Sequence, residues 1–217
     1  MIDAVVFDLD GVVVDTEQVW DEVREQLVRE RGGRWRDDAQ AAMMGMSSPE
    51  WSRYMHEKLE LAEPPEEIND EVVRRMLARY REDLPLIDGA VAAVGRLAAK
   101  FTLGVASSSN RPLIGAVLER AGIADLFAAV VSSEEVARGK PAPDVYLEAA
   151  RRLGVSAERC AAIEDSANGI RSAHAAGMRV LAVPNAHYPP APDALALADV
   201  VLASLDELTV AALSDAP

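Results

Sequence analysis

Six apolar runs of strand length mark the chain, at Ala4–Phe7, Phe101–Ala106, Leu126–Val131, Cys160–Ile163, Val180–Val183 and Val200–Leu202. Between most of them the apolar residues recur at helical spacing, over Gly89–Ala99, Pro112–Ala121, Pro143–Leu153 and Ala167–Ala176. The last two of these segments are entered through Pro or Ser, which favour helix starts. Strands alternating with helices predict βαβ units: an α/β fold with a doubly wound, mostly parallel sheet covered on both faces. Ligands in such sheets collect at the carboxyl ends of the strands.

One stretch breaks the alternation. From about Thr16 to Leu86 only helical patterns occur, with one apolar stripe on Val19, Trp20, Val23 and Leu27 and another on Val72, Val73, Met76, Leu77 and Tyr80. Gly32-Gly33, Ser47-Ser48-Pro49 and Pro64-Pro65 punctuate it. The expected organisation is therefore a core of residues 1–15 and 87–217 with an all-helical insertion at 16–86, seated above the end of the sheet.

Composition narrows the function classes. The formal net charge of −14 argues against nucleic acid or an anionic membrane as partner, because phosphate backbones select basic surfaces. No apolar run approaches the ~18 residues of a membrane span, and the N-terminal segment lacks a basic leader. A single cysteine, Cys160, fits a reducing compartment, and a cytoplasmic location is expected. The expected assembly is a monomer or a weak dimer.

The first strand carries the leading chemical signal. The stretch "VVFDLDGVVVDT" places Asp8 and Asp10 two residues apart at the end of an apolar run, ahead of Gly11. Residues i and i+2 of a strand share a face. Two carboxylates ~4 Å apart in a medium of effective dielectric ~20 repel by roughly 4 kcal/mol, so the pair calls for a cation, a shared proton or a catalytic task.

Other strand ends supply the complement. Ser107 follows the second run, Lys140 lies shortly after the third, and Glu164 and Asp165 follow the fourth; the fifth end, "VPNAHYPP", offers no obvious catalytic group. Singly, Ser107 would be an ordinary turn hydroxyl and Lys140 a solvated lysine. Their shared place at strand ends changes that reading. An acidic, oxygen-rich site suits Mg²⁺, and the three histidines show no zinc-ligand spacing. Metal, lysine, carboxylate and hydroxyl together form an environment for a phosphoryl group.

The segments "FDLDGVVVDT", "VASS", "GKPAPD" and "IEDS" match, in order, the four motifs of the haloacid dehalogenase-like superfamily, and the resemblance covers essentially the whole chain. It implies a Rossmann-like core. The helical insertion resembles the cap of the branch holding phosphoglycolate phosphatases, sugar phosphatases and β-phosphoglucomutase. The resemblance implies that Asp8 is a nucleophile forming an aspartyl-phosphate and that Asp10 is the general acid–base. It places Mg²⁺ on Asp8, the Asp10 backbone carbonyl and Asp165, with Glu164 as ligand or neighbour. Ser107 and the Ser108 amide would hold phosphoryl oxygens, and Lys140 would neutralise Asp8 and phosphate together. Trp20 and Asn110 join the expected substrate contacts.

Hydrolysis of a small phosphorylated metabolite, such as a sugar phosphate, is the expected reaction. A phosphosugar mutase is the alternative. Mutases of this branch carry a histidine at the position of Trp20 and basic cap residues at Met44 and Ser48, and all three differ here. Trp20, Met44, Met46 and Trp51 either line the pocket or simply pack. Lys58, in "HEKLE", reads as part of a solvated helix face, and Cys160 as a small buried hydrophobe.

Overall fold

The apolar run at the start of the chain forms β1 (Ala4–Phe7), and it becomes the centre of the molecule. The structure, a computed structural model, describes residues 1–43, 46–185 and 189–214. Four helices follow β1: α1 (Glu17–Glu30), α2 (Ala39–Met43), α3 (Ser48–Lys58) and α4 (Pro65–Glu82). Then come α5 (Ala90–Ala98), β2 (Thr102–Ser107), α6 (Arg111–Arg120), β3 (Phe127–Ser132), α7 (Asp144–Leu153), β4 (Cys160–Glu164) and α8 (Ala167–Ala175). The chain ends with β5 (Arg179–Ala182), α9 (Pro192–Leu195), β6 (Val200–Val201) and α10 (Val210–Ser214). Every expected strand forms, β1 with the expected bounds and the others with ends displaced by at most one residue.

The six strands take the order β3-β2-β1-β4-β5-β6 and pair in parallel throughout, a Rossmann-like α/β sheet. Sequence pattern alone predicted a mostly parallel sheet; the described strands contain no antiparallel member. The strand order reverses direction at β1, whose neighbours are β2 and β4. Connections leaving β1 and β3 therefore diverge to opposite sides, and the crevice this opens lies at the carboxyl end of β1.

Alternation within β1 sorts the core into two faces. Val5 and Phe7 join a cluster with α5 and α6, through Val94, Leu97, Leu113 and Val117. Ala4 and Val6 point the other way, into a cluster with Val145, Tyr146 and Ala149 of α7 and Ile170 and Ala173 of α8. Cys160 belongs to this second face and is fully buried, and burial pushes its thiol up to about 11. It behaves as the small hydrophobe that its surroundings suggest.

The first cluster continues without a break into the helices after β1, taking in Trp20, Val23 and Leu27 of α1, Met55 of α3 and Val72 and Met76 of α4. Serine and proline at the start of α3 set a capping box in which Ser47 and Glu50 bond reciprocally. The segments entering and leaving this helical stretch run side by side. The Asp15 amide donates to the Pro85 carbonyl at 2.8 Å, and the Ile87 amide donates to the Val13 carbonyl at 3.0 Å. No helix among the described residues is long and apolar enough to cross a membrane.

Candidate active site

Strand β1 stops at Phe7, so Asp8 and Asp10 sit just beyond it, where the chain turns at Gly11. Gly11 has φ +82, and a Cβ there would lie 1.9 Å from Asp165 Oδ2. Only glycine lets this turn come so close to the start of α8. The result is a cluster in which Asp8, Glu164 and Asp165 bring carboxylate oxygens within 4.8 Å of one another, all of them buried.

Lys140 enters this cluster from the loop before α7. Its Nζ donates to Asp8 Oδ1 at 2.8 Å and to Glu164 Oε1 at 2.7 Å, and it lies 5.0 Å from the centre of the Tyr146 ring. Burial opposes its charge, but Asp8 and Glu164 outweigh burial and raise its pKa, so it stays protonated. One ammonium facing three buried carboxylates leaves negative charge in excess. Burial, then the charges of Glu164 and Asp10, lifts Asp8 well above the ordinary carboxylate range against the pull of Lys140, and burial, then Glu164, Asp8 and Glu17, lifts Asp165 likewise.

Glu164 is fully enclosed and its oxygens are already engaged. Besides Lys140, the Tyr146 hydroxyl donates to Oε1 at 2.7 Å, and the amides of Asp165 and Ser166 donate to Oε2 at 3.1 and 3.3 Å. The carboxylate thus rests on the residues that lead into α8, where backbone N–H groups favour an anion. Gly169 makes the space: a Cβ there would lie within 2.0 Å of Glu164 Oε1, Cδ and Oε2. Glu164 lies within the acidic cluster, yet its hydrogen bonds fit it best to orienting Lys140.

Asp10 stands in a different environment. Ser109 Oγ donates to Oδ2 at 2.7 Å, with Ser107 Oγ at 3.5 Å. Thr16 Oγ1 donates to Oδ1, and Trp20 Nε1 reaches the same oxygen at 3.4 Å. A cation thus faces Asp8 and hydroxyls face Asp10, while the charge of Asp10 still adds to the upward shift of Asp8.

Asp8, Asp10, Lys140, Asp165, Ser108 and Trp20 line one pocket, as do Ser109 and Ser166. Ser107 stands behind it, fully buried, its Oγ accepting from the Ser109 amide at 3.0 Å. Asn110, expected to touch substrate, is not among the lining residues. Its amide donates instead to Asn69 on α4 at 2.9 Å and to Glu134 at 2.7 Å, tying the helical stretch to the loop after β3. Met46 and Trp51 also line the pocket, whereas Met44 lies outside the described residues. Lys58 is exposed on α3, as its surroundings suggested.

Comparison with known proteins matches residues 2–177 to the haloacid dehalogenase-like hydrolase family model. The chain belongs to the haloacid dehalogenase-like hydrolases. It is 33% identical over 217 residues to hexitol phosphatase B of Escherichia coli K12, covering 95% of this chain and 94% of that protein. It is 34% identical over 179 residues to the fructose-1-phosphate phosphatase YqaB of the same strain, covering 80% of this chain and 92% of the relative. Among solved structures, CbbY of Rhodobacter sphaeroides in complex with phosphate superposes with a TM-score of 0.85 at 29% identity, covering 99% of this chain and 100% of that one.

Groups at this hydrolase's site that the sequence motifs do not mark include Tyr146, Ser109, Glu17 and Arg24. Tyr146 braces Glu164, and Ser109 holds Asp10. Glu17 and Arg24 line the pocket from α1. The last two had a readable signal: positions 17 and 24 fall three before and four after Trp20, on the stripe read as apolar.

Proposed function

We propose that this hydrolase is a Mg²⁺-dependent phosphomonoesterase that cleaves a small phosphorylated metabolite, a sugar phosphate or close derivative, through an aspartyl-phosphate on Asp8. The observation that carries the reading is the unequal pair of carboxylates. Asp8 is held by a buried ammonium, and Asp10, two residues on, is held by rotatable hydroxyls. Separate environments of this kind let one carboxylate act as nucleophile and the other as acid and base.

Asp8 attacks phosphorus, forming the Asp8 O–P bond as the bond to the leaving oxygen breaks. Asp10 gives its proton to that oxygen; the Ser109 hydroxyl can turn from donor to acceptor as Asp10 changes state. Water then attacks phosphorus, Asp10 takes a proton from it, and the Asp8 O–P bond breaks to release phosphate. Lys140 offsets charge on Asp8 and the phosphoryl oxygens, and Ser108 lies where it can contact them.

The donor set fits Mg²⁺: buried, oxygen-only, and carrying more negative charge than Lys140 can balance. Asp8 and Asp165 would hold it, with the Asp10 carbonyl and with Glu164 beside them. When bound it would supply positive charge to the phosphoryl oxygens and favour the ionised form of Asp8. We read residues 16–86 as a cap over the core of 1–15 and 87–217, and the chain as a monomer or weak dimer. The hexitol and fructose-1-phosphate phosphatases among its relatives support a sugar-derived substrate.

The test is phosphate release from a panel of phosphorylated metabolites, with Mg²⁺ and with chelator, beside Asp8→Asn. Mg²⁺-dependent release that Asp8→Asn abolishes is expected, and release within tenfold of wild type from that variant would sink the covalent route. Incubating β-glucose 1-phosphate with trace bisphosphate separates the mutase alternative by phosphorus NMR. Stoichiometric glucose 6-phosphate without inorganic phosphate would overturn hydrolysis.

A further inference from the structure

We infer that Arg24 recognises a negatively charged group, a carboxylate or a second phosphate, on the alcohol that leaves. The inference rests on the phosphatase reading above and sharpens its substrate class. Met44 and Ser48 carry no cation. The fold brings one from elsewhere.

Arg24 stands one turn after Trp20 on α1 and lines the same pocket as Asp8 and Asp10. Its guanidinium lies 4.4 Å from the centre of the Trp20 ring and 4.8 Å from that of Trp51. The two rings pack edge to face with centroids 6.0 Å apart. The residue is 5% exposed, and its Nε has no hydrogen-bond partner.

A buried charge ordinarily carries a partner within hydrogen-bond reach, because losing water costs too much otherwise. Arg24 forms no ion pair among the described residues. Glu17, Asp10 and Asp21 stabilise its charge only from a distance. Glu17 instead accepts the Gln40 amide at 3.1 Å, and Asp21 Oδ1, one turn before Arg24, is equally without a partner. Burial draws the Arg24 pKa down to about 10, so the group is still a cation at neutral pH.

Its geometry says what is missing. The aromatic rings supply attraction and position but no hydrogen-bond acceptor for the N–H groups. A planar fork of donors matches a carboxylate or phosphate, and either would complete the charge balance that a neutral hydroxyl leaves open. The pocket then has two poles, the phosphoryl site at Asp8 and an anion contact at Arg24.

The test compares wild type, Arg24→Gln and Arg24→Lys with Mg²⁺ on matched esters. One set is sorbitol 6-phosphate, 6-phosphogluconate and glucose 1,6-bisphosphate; the other is glycerol 3-phosphate and 3-phosphoglycerate. Wild type should favour the charged member of a set by roughly 10–100-fold in kcat/KM, the scale of one charge-assisted contact. Carboxylate and bisphosphate arms show which anion is preferred. Arg24→Gln should erase the preference mainly through KM, and Arg24→Lys should keep part of it.

Two results would overturn the inference. One is a wild-type enzyme that cleaves neutral esters as well as their charged partners, a measurement that needs no variant to fold. The other is an Arg24→Gln variant that loses activity equally on all substrates, the mark of a packing role. If wild type releases phosphate from none of these esters nor from p-nitrophenyl phosphate, the phosphatase reading fails and this inference falls with it.

Discussion

Gly169→Ala should destabilise the protein, although helix propensity points the other way. Gly169 lies in the first turn of α8, where its amide donates to the Ser166 hydroxyl at 3.1 Å. Alanine in a helix is favoured over glycine by about 1 kcal/mol. The added Cβ, however, would lie 1.8 Å from Glu164 Oε1 and 2.0 Å from Oε2, so the carboxylate must leave. Leaving breaks its 2.7 Å bonds from Lys140 and Tyr146 inside a fully buried site. Each hydrogen bond to a charged group contributes ~1.5–3 kcal/mol, giving a loss of roughly 3–6 and a net cost of roughly 2–5 kcal/mol. For a chain of this size that corresponds to a fall in Tm of roughly 5–20 °C. Turnover should fall too, because Lys140 loses one of its two anchors. Thermal and urea melts beside a phosphate-release assay measure both effects. Gly115→Ala in α6, where a Cβ meets nothing within 4 Å, is the control and should be neutral or mildly stabilising. A Gly169→Ala protein as stable and as active as wild type would refute the placement of Glu164 over α8.

Lys140→Met should cost roughly 3–5 kcal/mol in urea unfolding and remove activity, because it strands Asp8 and Glu164 without their cation; an unchanged midpoint would contradict the bridge. Glu17 has its pKa raised by burial, then by Asp10, from 4.5 to about 7. The folded state therefore keeps a proton that the unfolded chain releases, and stability falls as pH rises through that window, by on the order of 3 kcal/mol in total. Glu17→Gln should raise Tm at pH ~8 with chelator present, and the gain should shrink near pH ~5; an equal gain at both would count against the shift. Asp10→Asn should lower kcat by roughly 10²–10⁴-fold on alkyl phosphates and by less on aryl phosphates, whose leaving groups need no proton; equal losses would remove its acid role.

The local code of this chain was unusually legible. Alternating apolar runs specified the strands, and the apolar stripes at helical spacing specified most helices, because both follow from side-chain periodicity along a single element. The motif residues Asp8, Asp10, Lys140, Glu164 and Asp165 were legible for a related reason: a parallel sheet delivers its strand ends to one edge, so position along the sequence already implies position in the site. Asn110 shows the limit of that logic. It follows a strand end as the others do, yet its amide is taken by Asn69 and Glu134, partners 41 and 24 residues away.

What only the tertiary structure decided concerns groups brought together across elements. Glycine at 11 and at 169 carries meaning through the side chains of Asp165 and Glu164, which no local pattern of glycine reveals. Tyr146 reads as an ordinary core aromatic of α7 until Glu164 arrives beneath its hydroxyl. Arg24, amid "DEVREQ", reads as one more charge on a solvated helix. It becomes a buried cation where Trp51, 27 positions later on α3, packs against it together with Trp20. The sequence by itself determined the fold and which polar groups gather at the strand ends, since both depend on short-range periodicity and strand-end position. The recognition end of the pocket was decided by packing between helices, where desolvation turns an exposed charge into a buried one seeking a partner.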